Sequence, residues 1–286
     1  MKLRGVKQYQ RPTSIDEAVT LVQSNVNATY LAGGSWIVAH RDPSLEMVVD
    51  LQALGLEFIA SDVDEVHVGA MARLQDVIDH PDTSVLAGGL LKRALGYQQS
   101  RNLREQGTLG GTLITAGPAD PLTTALLVLD AELYYADPVI HHAPFESFVA
   151  YRDRLVATRA LLLELHLVRP PVRSGTAFEV VGRSPKDKPI VCAAAYIALD
   201  EGLPVTVRLA VGGADATPTR LHKVEHMLEG QELTEERVVH VLDHIDSDLQ
   251  PVADFRGSVE YRLAMAKVLG RRALMGAWTV ARQGSA

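Results

Sequence analysis

Leu31-Ala32-Gly33-Gly34-Ser35-Trp36 and, further along, Gly107-Thr108-Leu109-Gly110-Gly111-Thr112 are the two stretches on which the reading of this chain turns. Each sets a glycine pair beside small hydroxyl residues, and each reads as the place where a strand gives way to a loop. Glycine has no Cβ and tolerates positive φ, so the backbone can turn its N–H groups towards a ligand and let it come close. Successive amides of this kind form an anion-binding nest, and Ser35, Thr108 and Thr112 add hydroxyl donors. Two nests in an acidic chain point to a pyrophosphate gripped from both sides, and so to a dinucleotide held without a Rossmann fingerprint.

Composition narrows the classes. The chain has 286 residues, 47% of them hydrophobic, enough for a large core divided into two or three subdomains. A net charge of −7 with no basic tract gives nucleic-acid binding no electrostatic support. Cys192 is the single cysteine, so this chain alone forms no internal disulfide and ligates no iron–sulfur cluster. Met1 to Gly5 is basic, but no apolar segment follows it, and the longest apolar runs (Ala125 to Leu129, Ala160 to Leu163) are too short for a bilayer. A soluble cytoplasmic protein is the expectation.

The pattern of elements is α+β. Ser14-Ile15-Asp16-Glu17 is a capping box ahead of an amphipathic helix. Strands are expected at Thr29 to Ala32, Met47 to Leu51, Glu65 to Ala70, Glu132 to Tyr135 and Leu161 to Leu167, and helices over Leu86 to Tyr97 and from Asp120-Pro121 to about Leu129. Gly88-Gly89 lacks hydroxyl donors and reads as a turn. Arg169-Pro170-Pro171 breaks the pattern and marks the main boundary. Beyond it come antiparallel strands at Val191 to Leu199 and Val205 to Val211, a helix capped by Thr234 bearing Val238, Val241, Leu242 and Ile245, and a long final helix from Ser258 to Ala281.

Leu31 to Ser35, then Asp50-Leu51, then Gly107 to Gly111, then Pro118-Ala119-Asp120 followed by Leu126 to Ala131, stand in an order that resembles the FAD-binding medium subunit of molybdenum hydroxylases, the xanthine dehydrogenase and carbon monoxide dehydrogenase family. Asp254 to Arg262 and Ala264 to Leu274 are similar to that family's final domain. The resemblance implies a two-lobed FAD-binding domain of the vanillyl-alcohol oxidase type, with lobes at 1–55 and 56–170, and a C-terminal α+β domain of antiparallel sheet and helices at 171–286. It implies FAD at Leu31, Ala32, Gly33, Gly34, Ser35, Trp36, Gly107, Thr108, Gly110, Gly111, Thr112 and Asp120. It also implies a molybdopterin-binding large subunit and an iron–sulfur small subunit with two two-iron two-sulfur clusters as partners. Electrons would pass from those clusters through FAD to NAD, oxygen or a quinone, the substrate chemistry lying on a partner chain.

Three positions depart from the family pattern: Thr112 where Asn is usual, Glu105 after Arg104 where Asn is usual, and Ser35-Trp36 in place of Thr-Asp or His-Ser. They motivate an alternative, a flavin-free scaffold subunit of the same kind of complex. Some family members bring a lysine from the region of Lys186-Asp187-Lys188 near the flavin, against the simpler reading of a solvated turn. No catalytic side chain and no metal site is expected in this chain. His222-Lys223-Val224-Glu225-His226 matches an inverted zinc-protease string, but it follows Thr217-Pro218-Thr219, an ordinary helix start, and lacks a third ligand. Asp243, Asp246 and Asp248 lack the glycine and closing glutamate of a calcium loop. The basic residues of the final helix (Arg262, Lys267, Arg271, Arg272, Arg282) suit either a docking face or the outside of a core helix.

Overall fold

The computed structural model describes residues 5–98, 100–184 and 187–284. The chain begins with β1 (Gln8–Gln10), α1 (Ile15–Gln23), β2 (Ala28–Leu31), α2 (Ser35–His40) and β3 (Met47–Asp50). Ser14 caps α1 by accepting from the Glu17 amide, and the Glu17 carboxylate reaches back to the Thr13 amide. β3 pairs in parallel with β1 and β2, so this small sheet runs β1-β3-β2. Next come β4 (Ile59–Ser61), β5 (Glu65–Gly69) and α3 (Leu74–Asp79), then α4 (Pro81–Val85), α5 (Leu90–Gly96), α6 (Arg101–Arg104), α7 (Leu109–Ile114) and α8 (Pro121–Val128). β6 (Glu132–Asp137), β7 (Val139–Pro144), α9 (Phe145–Thr158) and β8 (Leu161–Val168) complete a second, five-stranded sheet ordered β4-β5-β8-β6-β7. The final third holds β9 (Ser174–Val181), β10 (Val191–Asp200), β11 (Leu203–Gly212), β12 (Thr219–Arg220), α10 (His222–Leu228), α11 (Glu235–Leu242) and α12 (Val259–Gln283).

These elements fall into two compact units, each interleaved in sequence. One comprises Met1–His80, Ser100–Thr115 and Ala131–Leu167; the other comprises Pro81–Gln99, Ala116–Asp130 and Val168–Ala286. In the first, α1 lays Ala18, Val19 and Val22 onto a core shared by Met47 and Val49 of β3 and Ala136, Leu161 and Leu163 of the larger sheet. In the second, the antiparallel sheet β12-β11-β10-β9 has helices on both faces. Ala193, Ala195 and Ile197 of β10 face a core made with α10, α11 and α12. On the other face α8 packs against β10 and β11. Because every residue of α8 is buried, its stretch Pro121-Leu122-Thr123-Thr124-Ala125-Leu126-Leu127-Val128 is apolar on all sides rather than amphipathic. Cys192, wholly buried on β10, lies 3.4 Å from the Thr124 hydroxyl, and burial pushes its thiol up to about 12.

Several sequence expectations shift. The helix expected over Leu86 to Tyr97 starts at Leu90, because Ala87, Gly88 and Gly89 adopt left-handed φ of 50°, 60° and 78° and make the turn read at the glycines. Ile245 lies past the end of α11 in a short 3-10 turn. Thr217-Pro218-Thr219 does not start a helix: Thr219 and Arg220 form β12 against β11, and α10 begins at His222. Glu225 of the zinc-like string is 2% exposed, accepting from the Leu209 amide at 2.9 Å and from Arg220 Nη2 at 2.7 Å. That glutamate is a buried brace, and His226 Nδ1 lies 2.7 Å from the His222 carbonyl.

The final helix is not a free basic face. Arg262 is 5% exposed, donating to the carbonyls of Ile190 and Gly213 at 2.9 and 2.8 Å and to Asp254 at 2.6 Å. Asp254 also accepts the amides of Arg256 and Gly257, closing the turn that leads into α12. Desolvation would raise that carboxyl, but the Arg256 amide and the Arg262 guanidinium outweigh it and hold it at about 2. Lys267 pairs with Asp246 at 2.8 Å, and Arg271 with Glu235 at 2.6 Å. Among the described residues, no helix is long and apolar enough to cross a membrane.

Candidate functional site

The first glycine loop lies at the carboxyl end of parallel strands, the edge where open sheets with parallel strands present their ligand sites. Leu31 ends β2 and stands in register with Asp50, the last residue of β3. Asp50 is 2% exposed and caps a short 3-10 turn through the Gln52 amide at 2.9 Å, while the Tyr9 hydroxyl and Arg11 Nη2 also donate to it. Desolvation pushes its carboxyl up, but the Tyr9 hydroxyl, the Gln52 amide and Arg11 together hold it below the ordinary carboxylate range. The Asp50-Leu51 pair therefore fixes the floor beside the loop as a permanent anion, fully engaged within the protein.

From Leu31 the chain turns through Ala32, Gly33 and Gly34 into α2. Gly34 has φ +72°, a left-handed conformation that a side chain resists, and it starts α2 with no side-chain cap. The first helical bond is Val38 N–H to the Gly34 carbonyl. Ahead of it the amides of Ser35, Trp36 and Ile37 form the first turn, which has no intrahelical acceptor. Among the described residues no backbone acceptor meets them. Trp36 is 48% exposed and stacks on His40, with ring centroids 3.9 Å apart and planes 17° from parallel. It fills no core; it stands as an aromatic plate beside the loop.

The second glycine pair sits differently from the strand-to-loop setting read from sequence. Thr108 caps α7, accepting from the Gly111 amide at 3.3 Å, so Gly110 and Gly111 lie inside the first helical turn. Their backbone is not an open nest. Leu109 N–H donates to the Ala72 carbonyl at 2.9 Å, Gly110 N–H to Ala70 at 2.8 Å, and Gly107 N–H to Leu103 at 2.7 Å. A Cβ on Gly110 would meet Ala70 Cβ at 3.0 Å and its carbonyl at 3.1 Å. The physical reason is that α7 starts pressed against the chain leaving β5, which consumes amides that a looser loop would leave for a ligand. What remains on this side is hydroxyl chemistry. Thr108 accepts in its cap and keeps its proton to donate, and Thr112 lies one turn further along α7, 7% exposed.

The two loops meet. A Cβ on Gly33 would fall 1.8 Å from the Gln106 carbonyl oxygen and 3.4 Å from Gly107 Cα, so only glycine lets the first loop lie directly on the backbone of the second. This contact brings the first loop against the start of the second within one compact unit. Nothing in the sequence marked Gln106 or Ala70 as the surfaces against which the glycines pack; the glycines alone signalled that something had to come close. Arg104 and Glu105 precede the second loop, with Arg104 Nε donating to Gln75 at 3.0 Å and Glu105 pairing with Arg101 at 3.0 Å, so the Glu105 charge is matched locally.

Asp120 belongs to the other compact unit and acts there as the N-cap of α8. Its Oδ1 accepts from the Thr123 amide and hydroxyl, each at 2.8 Å, and its Oδ2 from Gln98 at 2.5 Å. Of the Lys186-Asp187-Lys188 loop, Lys186 lies outside the described residues, and Asp187 pairs with Arg183 at 3.6 Å.

Comparison with known proteins agrees with this geometry. Residues 4–168 match the family described as the FAD binding domain in molybdopterin dehydrogenase, and residues 176–277 match the CO dehydrogenase flavoprotein C-terminal domain. The chain is 30% identical over 267 residues to the uncharacterized protein YgfM of Escherichia coli K12, covering 92% of this chain and 93% of that one. It is 26% identical over 273 residues to the glyceraldehyde dehydrogenase medium chain of Sulfolobus acidocaldarius, covering 93% and 96%. A carbon monoxide dehydrogenase structure from Hydrogenophaga pseudoflava superimposes with a TM-score of 0.89 at 24% identity, over 96% of this chain and 98% of that one, and shows the same α+β fold. The chain belongs to the FAD-binding medium-subunit family of the molybdopterin dehydrogenases, oxidoreductases of the xanthine and carbon monoxide dehydrogenase type.

Proposed function

We propose that this chain carries one FAD and relays electrons from iron–sulfur clusters on a small partner subunit to NAD, oxygen or a quinone. A large molybdopterin subunit performs the substrate chemistry, in a cytoplasmic complex. The observation that carries this reading is the contact of Gly33 with Gln106 and Gly107, which joins the two glycine loops into one cradle in the family's FAD-binding region. FAD, when bound, supplies the exchange between one-electron donors and two-electron acceptors. The chain's own residues position it. In this reading the first-turn amides of Ser35, Trp36 and Ile37 donate to the diphosphate. The Thr108 and Thr112 hydroxyls donate from the second loop, and Trp36 covers the cofactor's edge. Asp120 as a cofactor-binding residue and the lobe limits at 55 and 170 belong to the same reading.

Purified protein should show a flavin absorbance spectrum with one FAD per chain. In the assembled complex, substrate should bleach that spectrum only when the iron–sulfur chain is present. The bonded amides of Gly107, Leu109 and Gly110 favour one alternative, a scaffold that keeps the fold without the flavin. Calorimetry with excess FAD separates the two, since a scaffold gives no binding heat.

A further inference from the structure

Glu65-Val66-His67 and Glu164-Leu165-His166 are two copies of one pattern, Glu-x-His, and the fold sets them side by side. The first lies on β5 and the second on β8, adjacent strands of the five-stranded sheet. Side chains two residues apart on a strand share a face, so both acids and both imidazoles emerge from the same surface. The His67 and His166 rings stack at 3.8 Å, 13° from parallel. Glu65 Oε2 lies 3.2 Å from His67 Nε2 and 3.6 Å from His166 Nδ1, and Glu164 Oε1 lies 3.2 Å from His166 Nε2. One ligand atom from each of Glu65, His67 and His166 can be chosen so that all lie within 4.8 Å of one another.

Hydrogen bonding within the protein does not use this arrangement up. His166 Nε2 is shut off from solvent yet makes no hydrogen bond, its approach to Glu164 having the wrong direction for one. A buried ring nitrogen without a partner costs about 1–3 kcal/mol. Two carboxylates, Glu65 and Glu164, thus stand around two stacked imidazoles on adjacent strands. Ligand bonds of about 2.0–2.2 Å in a tetrahedral site put neighbouring donor atoms about 3.4 Å apart, close to the 3.2 and 3.6 Å that separate Glu65 Oε2 from His67 Nε2 and His166 Nδ1. Tyr134 stacks on His166 at 4.2 Å and holds that ring in place. Glu65 and His67 are partly open, giving an ion a way in.

We propose that Glu65, His67 and His166 bind one divalent transition-metal ion of the zinc class, cross-linking β5 to β8. Imidazole and carboxylate without thiolate suit Zn²⁺ and select against Mg²⁺, which prefers an all-oxygen octahedron. The test is calorimetric titration of the untagged, FAD-loaded full chain with ZnCl₂ and, separately, MgCl₂, with metal content measured after gel filtration. The expected result is one Zn²⁺ retained per chain, no Mg²⁺ heat, and a melting temperature lowered by chelation. His67→Ala should weaken Zn²⁺ binding at least tenfold while FAD content stays unchanged. His166→Ala should do the same, and Glu65→Gln covers the case in which loss of His166 unfolds the sheet. His222→Ala/His226→Ala should leave the Zn²⁺ titration unchanged. Absence of retained Zn²⁺, or Zn²⁺ binding undiminished by His67→Ala, would overturn the site.

Discussion

Gly33→Ala is the sharpest probe of the cradle. Its new Cβ would stand 1.8 Å from the Gln106 carbonyl oxygen, where real Cβ contacts essentially never fall below 3.0 Å, so the two loops must part by at least 1.2 Å. Gln106 and Gly107 cannot simply yield. The Gly107 amide is tied to Leu103 at 2.7 Å and the Gly107 carbonyl accepts from Leu74 at 3.0 Å. Overpacking of this kind costs about 1–3 kcal/mol, and loss of the Leu74 bond adds about 1 kcal/mol. A total near 3 kcal/mol lowers the melting temperature by about 6–12 °C. Movement of more than 1 Å takes hydrogen-bond donors on one loop out of reach of a ligand bound to the other, so FAD affinity should fall at least tenfold, about 1.4 kcal/mol. The assay is flavin absorbance per chain after dialysis, paired with thermal melts with and without FAD. Gly34→Ala is the control. Its Cβ meets only Leu31 Cδ1 at 3.4 Å, so it carries the strain of a left-handed φ, about 1–2 kcal/mol, without a clash. A Gly33→Ala protein that melts and holds FAD like the wild type would refute the loop contact. One that melts lower but keeps full FAD would show that the contact supports the fold and not the cofactor.

Other expectations follow from residues away from that contact. With Trp278→Phe as background, Trp36 is the sole tryptophan, and its exposed indole should be quenched when FAD binds; unquenched emission at full occupancy would place it away from the flavin. Glu225→Ala takes the acceptor from the Leu209 amide and one of two carboxylates from Arg220, which keeps Asp130 at 3.7 Å, and should cost about 1–3 kcal/mol in urea unfolding. Cys192, buried and held mainly as thiol, should resist maleimide at pH 8 until the chain is unfolded. Asp254, depressed from 3.8 to about 2, contributes stability that is complete above 3.8 and is lost as pH falls towards 2. Asp254→Asn should melt lower at pH 7 and lose less than the wild type between pH 4 and pH 2.

What could be read from the residues was what is local. Ser14 and Thr234 cap the helices expected of them, and Asp120 and Ser258 cap the helices that were expected to start there, because a cap is decided within four residues. The strands at Glu65 and Leu161 declare themselves by alternation. What escaped was set by partners distant in sequence. Glycines at 110 and 111 argue against a helix by propensity, yet α7 runs through them because Ala70 presses on its first turn. Arg262 and Glu225 look like surface charges in a polar stretch, and their burial is explained by distant partners: the carbonyls of Ile190 and Gly213 with Asp254 for the one, the Leu209 amide with Arg220 for the other. The grouping of α4, α5 and α8 with the C-terminal sheet is invisible along the chain, because it is set by packing against strands that come after residue 168.

The two glycine loops thus exchange the emphasis that their sequences suggest. The second has the longer motif and two threonines, yet its amides are spent on Ala70, Ala72 and Leu103. The first is brief and ends in an unexpected tryptophan, yet its helix begins without a cap and its first-turn amides have no backbone acceptor among the described residues. An uncapped first turn is a local cost of about 1 kcal/mol that a bound anion would remove. In the proposed reading Thr112 in place of Asn matters less than its position suggests, because it stands on the loop whose amides are already bonded. The diphosphate donors of that reading are the amides of Ser35, Trp36 and Ile37. Substituting Thr112→Asn should change FAD affinity by less than threefold, whereas Ser35→Pro, which removes one amide donor and strains the left-handed Gly34 before it, should weaken it at least tenfold.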